Sequence, residues 1–184
     1  NAQGFYPALY YPHNIHFLWA ASTMEGRSSL SIESALKVAK YVGPEQIRQF
    51  PVVEFFHTVP LLSYVRFGKW EEILNYSTPA PEFKYSLGIY HYARGIALST
   101  LGRKEDALKE LSYIKPLKDT QEISNLVKAG QPSRKLLEIA ENLFNIYEFC
   151  KQGIMKGFMQ KKSKLIYDAI PPIDEILDGW KQIK

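Results

Sequence analysis

Residues 90–114 read YHYARGIALSTLGRKEDALKELSYI, and this stretch decides the fold class. Small residues, Gly95, Ala97 and Ala107, stand where two neighbouring helices would approach closely. Gly102 is suited to end the first helix in a left-handed conformation, and the polar run RKED that follows is suited to begin the second. The stretch therefore predicts two antiparallel helices joined by a tight turn.

The same turn recurs twice upstream, in MEGRSS at Gly26 and in RFGKWEEI at Gly68. Each glycine follows an apolar or aromatic segment and precedes a basic residue, as Gly102 precedes Arg103. A cation is favourable at the carboxyl end of a helix. Gly68 and Gly102 are 34 residues apart and Gly26 and Gly68 are 42 apart, so we expect a repeat with one insertion.

These features resemble the tetratricopeptide repeat, a helix pair of about 34 residues that stacks into a solenoid. Three segments look like the C-terminal part of bacterial tetratricopeptide-repeat proteins of uncharacterised function. They are YYPHNIHFLWAASTMEGRS, VPLLSYVRFGKWEEIL and YHYARGIALSTLGRKEDALKEL. The resemblance covers about residues 6–114, and beyond it only KLLEIAENLF is similar to the family. It implies an all-α superhelix of antiparallel helix pairs that binds another molecule, and it assigns no reaction or partner.

The chain is predicted to be one helical-repeat domain, residues 1–184, with repeats at about 12–43, 44–78 and 85–116 and degenerate helices over 121–184. The first residues of the chain, NAQGFYPALYYPHN, resemble a connection from an earlier repeat, so repeats of the same chain are expected to precede them.

Individual helix ends are also predicted. Asn14 is predicted to cap the first helix, Pro60 to kink the helix over 52–67, and Ser133 to cap a helix over 134–151. A fourth turn is predicted at Gly153. Helices are expected over 30–42, 44–50, 70–76, 87–101, 104–114, 121–129, 155–169 and 173–183.

Composition excludes several classes of protein. The 184 residues carry a net charge of +4 and no apolar run of the ~20 residues that a membrane span requires. This charge is too small to indicate a dedicated nucleic-acid binder. The single cysteine, Cys150, excludes an internal disulfide and fits a buried thiol in a helix. Cytoplasm and periplasm both remain open as compartments.

Histidines supply the candidate metal ligands, which are His13, His16, His57 and His91. His57 and His91 are one 34-residue repeat apart, and His16 is displaced by one residue from the equivalent position. Because equivalent positions stack in a solenoid, these imidazoles could follow one surface and bind a divalent transition metal such as zinc. Packing within the repeats is the other interpretation, because neighbouring helices lie about 8–10 Å apart and three layers do not easily converge on one ion.

Aromatic and basic side chains supply the candidate groove. Tyr64 and Tyr92, with Tyr85, would anchor a peptide in the concave face, and Arg66 and Arg94 would hold a carboxylate. Core packing explains such tyrosines equally well, as helix capping explains such arginines. A lysine-rich run follows Cys150, and it is read as a solvated face, with membrane-surface or RNA contact as the alternative.

No enzymatic motif accompanies these residues: the sequence has no G-x-S-x-G, P-loop or G-x-G-x-x-G pattern. The sequence therefore predicts a scaffold that binds a protein or peptide in a concave groove and catalyses no reaction itself. The alternative hypothesis is a metal-binding protein or metal-dependent enzyme with a histidine-lined groove.

Overall fold

The computed structural model describes residues 10–172, and over this range the chain is all-helical, as predicted. Its helices group into two compact units, the first reaching to Glu138 and the second beginning at Ile139. A short 3₁₀ helix, Pro51–Glu54, precedes the fourth α-helix. The α-helices of this range are α1 (Tyr11–Met24), α2 (Ser28–Tyr41), α3 (Pro44–Gln49), α4 (Phe55–Arg66), α5 (Trp70–Leu74), α6 (Lys84–Thr100), α7 (Lys104–Leu117), α8 (Gln121–Lys128), α9 (Ser133–Met159) and α10 (Ser163–Tyr167).

Two helix starts differ from the prediction. Helix α1 begins at Tyr11, three residues before the predicted cap Asn14, with Pro12 in its first turn. Proline is tolerated there because the first N–H groups of a helix have no intrahelical acceptor. Ser133 was predicted to cap α9, but it is the first residue of that helix and its buried hydroxyl has no hydrogen-bond partner. Ser133 therefore does not cap the helix.

The region predicted as one helix over 52–67 is divided into the 3₁₀ helix and α4, and α4 continues through Pro60. The kink expected at this proline remains a prediction. Helix α9 extends to Met159, beyond its predicted end at residue 151, and α10 follows where a helix over 155–169 was expected. The helix predicted over 173–183 lies outside the described residues.

Glycine turns separate successive helices as the sequence predicts. Gly26, Gly68 and Gly102 have φ angles of 74°, 66° and 82°, the left-handed region that favours glycine. At each turn the next residue donates its N–H to the carbonyl five positions earlier, at 2.9 Å, which satisfies a carbonyl at the helix end. Gly130, with φ 91°, makes the same turn between α8 and α9.

The fourth glycine turn was predicted at Gly153, and that prediction is wrong. Gly153 lies inside α9, where α10 and the residues after it pass close to the helix. A Cβ atom at this position would lie 3.0 Å from the Cβ of Ala169 and 3.2 Å from the carbonyl of Leu165. The glycine therefore permits close packing within the second unit and does not end a helix.

In the first unit, three helical hairpins follow one another, α1 with α2, α4 with α5, and α6 with α7. Helix α4 packs on both helices of the preceding hairpin, and α6 packs on both α4 and α5. Two buried clusters fill the interfaces. The first lies among α1 to α4 around Phe56 and Val59, and the second among α4 to α9 around Leu61, Ile89 and Ala93.

No helix among the described residues combines the length and the apolar character needed to cross a lipid bilayer. Cys150 is buried in α9, as expected, and its thiol lies 3.3 Å from the carbonyl of Ala169. Burial raises the pKa of this thiol, so the group stays protonated at neutral pH.

Candidate functional site

The four histidines have different surroundings. His13 is exposed and contacts the ring of Phe17, whereas His16 is half-buried against Trp19, Phe55 and Phe56. The remaining two also have separate neighbours, since His57 faces Phe83 and His91 lies 2.7 Å from Glu110 through its Nδ1 atom. Over residues 10–172, no three His, Cys, Asp or Glu side chains are grouped so as to hold a metal ion. The described part of the chain therefore offers the metal hypothesis no ligand set.

The buried carboxylate of Glu54 has a structural partner. Its side chain is 3% exposed, and its Oε1 accepts the N–H of Ser86 at 2.8 Å. Ser86 is the third residue of α6, whose N-terminal flanking residue, Phe83, has no capping side chain. Glu54 therefore caps a helix of the next hairpin, because the first N–H groups of α6 have no intrahelical acceptor.

The tyrosines predicted for the groove belong to the core. Tyr64 is 9% exposed and packs with Tyr76, with ring centroids 6.4 Å apart. Tyr92 is half-buried against the same core cluster, and burial raises the pKa of its hydroxyl. The interpretation as core residues, which the sequence left open, describes both side chains.

Arg94, predicted to hold a ligand carboxylate, binds a carboxylate of this chain. Its Nε donates to Glu110 at 2.8 Å and its Nη1 donates to the carbonyl of Leu74 at 3.1 Å. Burial alone would raise the pKa of Glu110, but the hydrogen bonds from His91 and Arg94 outweigh burial and lower it. Arg94 thus joins three helices, α5, α6 and α7, whereas Arg66 at the end of α4 is exposed.

A pocket of about 350 Å³ lies on the side of the first unit formed by the first helices of the hairpins. Helix α1 contributes His16 and Trp19, α4 contributes Phe55 and Leu62, and α6 contributes Tyr85. The segment Gly130-Gln131-Pro132 and the beginning of α9 close the remaining side. This volume is within the range of ligand sites, which are usually apolar clefts with a few polar groups.

Gln131 is the unusual residue of this pocket. Its side chain is 6% exposed, and neither its amide nitrogen nor its amide oxygen has a hydrogen-bond partner. A buried amide without partners costs about 1–3 kcal/mol, so native proteins rarely retain one without a reason. The turn at Gly130 fixes this residue, because the N–H of Gln131 donates to the carbonyl of Leu126 at 2.9 Å.

The polar groups of the pocket are uncharged at neutral pH. Burial lowers the pKa of His16, with a further contribution from His13, so the imidazole is neutral. Burial raises the pKa of Tyr85 to about 12, so its hydroxyl keeps its proton. The pocket therefore suits a neutral ligand that carries both a hydrogen-bond donor and an acceptor.

Sequence reasoning placed His16 and Tyr85 among the candidates, and the structure brings both into this pocket. It missed Gln131, because GQP between two helical patterns reads as a break and glutamine is usually exposed. Tyr64, Arg66, Tyr92 and Arg94 do not line the pocket.

No family model, curated protein or solved structure matches this chain. The resemblance to tetratricopeptide repeats therefore depends on the sequence segments alone.

Proposed function

We propose that the chain is a tetratricopeptide-like scaffold that binds a peptide segment of another protein in the pocket around Gln131. Three consecutive hairpins, their glycine turns and the packing of each first helix on the preceding hairpin support a repeat of this kind. Stacked repeats commonly present a binding surface on one side.

The unpaired carboxamide of Gln131 is the observation that carries the proposal. Its nitrogen is a donor and its oxygen an acceptor, both covered in this structure, and the proposal requires the side chain to turn toward the pocket so that a peptide group can supply the complementary acceptor and donor. Trp19, Phe55 and Leu62 provide an apolar wall for one side chain of the same peptide. Both interactions are satisfied by a neutral, apolar residue with its flanking peptide group.

The two arginines that the sequence predicted to hold a ligand carboxylate have different roles in this proposal. Arg94 is held by Glu110, so the proposal gives it no contact with the peptide. Arg66 remains a candidate for rim contacts because it is exposed. Such contacts would affect the association rate more than the affinity.

A displayed library of random peptides, selected against the immobilised full chain, tests the proposal. The selected peptides are expected to share an apolar residue, and their dissociation constants would be measured by fluorescence polarisation. We expect Gln131→Leu, which keeps the bulk and removes both polar atoms, to weaken binding about tenfold or more, since 1.4 kcal/mol corresponds to a factor of ten.

Gln49→Leu is the matched control, because Gln49 is exposed at the end of α3 and is not part of the pocket wall. It should leave the dissociation constant unchanged. Selection of no peptide, or of peptides that bind wild type and Gln131→Leu equally well, would refute the proposed site.

A further inference from the structure

The end of α9 and the helix after it combine positive charge with exposed apolar side chains. Residues 149–167 contain no acidic residue and include five lysines, Lys151, Lys156, Lys161, Lys162 and Lys164. The nearest acidic residues along the chain flank the segment, and one of them, Glu148, is buried. This segment, called here the basic segment, therefore carries five positive side chains and no negative one.

Large apolar side chains of the basic segment are unusually exposed. Phe158 is 81% exposed and Met159 is 78% exposed, and one helical turn earlier Ile154 and Met155 are 44% and 53% exposed. Residues three or four positions apart are neighbours on the surface of an α-helix, so Phe158 adjoins both Ile154 and Met155, Met159 adjoins Met155, and the four form one apolar stripe. Tyr167 in α10 is 67% exposed.

These exposures distinguish the basic segment from an ordinary solvated face, because Phe158 and Tyr167 are aromatic residues and both are exposed within it. Aliphatic and thioether side chains gain little from contact with RNA bases, which bind by stacking on aromatic rings. A second copy of the chain would bring the same excess of lysine to the contact, and like charges repel.

We propose that the basic segment binds the surface of an anionic lipid membrane. The lysines attract acidic headgroups, and the stripe from Ile154 to Met159 enters the boundary between headgroups and acyl chains, as in interfacial helices with a basic polar face. A lipid surface also needs no shape complementarity, which fits a stripe that protrudes at a helix end. This contact is independent of the pocket around Gln131.

Vesicle co-sedimentation of the full chain tests the proposal. We expect the protein to sediment with vesicles of phosphatidylcholine and phosphatidylserine, and to stay in solution with vesicles of phosphatidylcholine alone. The bound fraction should fall as salt is raised from about 0.1 M to about 1 M, because the screening length shortens from ~10 Å to ~3 Å.

Two variants separate the contributions of charge and apolar contact. Lys161→Glu/Lys162→Glu and Phe158→Ser/Met159→Ser are each expected to weaken binding to the anionic vesicles at least tenfold. Their matched controls are Lys109→Glu/Lys115→Glu, exposed lysines of α7, and Phe17→Ser/Met24→Ser, exposed apolar residues of α1. All four target exposed side chains, and circular dichroism would confirm that each variant is folded.

Binding to neither vesicle, or equal binding to both, would overturn the proposal. So would equal losses in the control variants, since the basic segment would then have no special role. If single-stranded RNA or an acidic peptide competed the protein off the vesicles while Phe158→Ser/Met159→Ser bound them normally, the segment would be an electrostatic site only, and lipid insertion would be wrong.

Discussion

The carboxyl of Glu54 caps the N-terminus of α6 by accepting a hydrogen bond from the N–H of Ser86, which is 32 positions away along the chain. Burial raises the pKa of this carboxyl, the hydrogen bond from Ser86 opposes the rise, and the charge of Glu122 adds to it. The folded chain therefore keeps the proton of Glu54 at pH values where the unfolded chain has lost it. Stability from this group must fall as pH rises from the unfolded pKa, about 4.3, through the raised folded pKa.

Glu54→Gln removes the titration and keeps an oxygen that can accept from Ser86. We expect its free energy of unfolding, relative to that of wild type, to increase as pH rises from about 4 to 7, because only wild type loses stability over this range. Urea unfolding at a series of pH values measures this difference. A difference that is independent of pH would show that the Glu54 carboxyl titrates normally.

Lys161 adopts φ 51° after α9, a conformation that the other turns give to glycine. Its hydrogen bonds match theirs, since the N–H of Lys162 donates to the carbonyl of Gly157 at 2.9 Å. A left-handed conformation costs a non-glycine residue about 1–2 kcal/mol, which glycine avoids. Glycine also loses more conformational entropy on folding, and this loss offsets part of the stabilisation. Lys161→Gly should therefore raise the free energy of unfolding by up to ~1 kcal/mol. Lys162→Gly, its control, should give no gain in the same chemical denaturation.

Between elements, Glu110 of α7 ties the two helices of the third hairpin together by accepting from His91 and Arg94 of α6. Its side chain is 13% exposed and that of Arg94 is 23% exposed, so removing the carboxylate leaves a partly buried cation without its partner. Glu110→Gln is expected to cost about 1.5–3 kcal/mol, as hydrogen bonds to charged groups do. Because the pKa of Glu110 is lowered, this loss should shrink as pH falls through the folded pKa, opposite in sign to the effect at Glu54.

The pair of Arg103 and Asp106 supplies the control for this loss. It also joins a guanidinium to a carboxylate, at 2.7 Å, but its side chains are 58% and 51% exposed. Asp106→Asn should cost no more than about 1 kcal/mol. Equal losses in thermal unfolding for both variants would mean that the Glu110 network stabilises the fold no more than a surface ion pair does.

Helix α6 meets the beginning of α9 at Gly88. A Cβ atom there would lie closer to the side chain of Leu137 than van der Waals contact permits, and Leu137 is fully buried. Gly88→Ala should gain about 1 kcal/mol of helix propensity and lose about 1–3 kcal/mol to overpacking. We therefore expect a net loss in chemical denaturation, whereas Gly43→Ala, where a Cβ meets only Gln46 Oε1 at 3.9 Å, should cost little. A more stable Gly88→Ala would mean that Leu137 can move aside.

Across the molecule, local signals predicted the fold and long-range contacts decided the site. Glycine turns and helix ends depend on neighbouring residues, so most helices of the described range begin and end within three residues of their predicted positions. Arg94 and Glu110 are 16 positions apart on two helices, and no local pattern predicts that they meet. The burial of Gln131 likewise depends on α1, α4 and α6, which a turn signal at Gly130 does not reveal.

Thermal unfolding of wild type and Gln131→Leu, each with and without a selected peptide, tests the central claim most directly. Without peptide, the variant should be about 1–3 kcal/mol more stable, because an unpaired buried amide has been replaced by an apolar side chain, and each kcal/mol raises Tm by about 2–4 °C in a chain of this size. With peptide, only wild type should gain stability, since a ligand must bind the native state to stabilise it. A variant that is less stable than wild type, yet gains as much from the peptide, would contradict a binding site at Gln131.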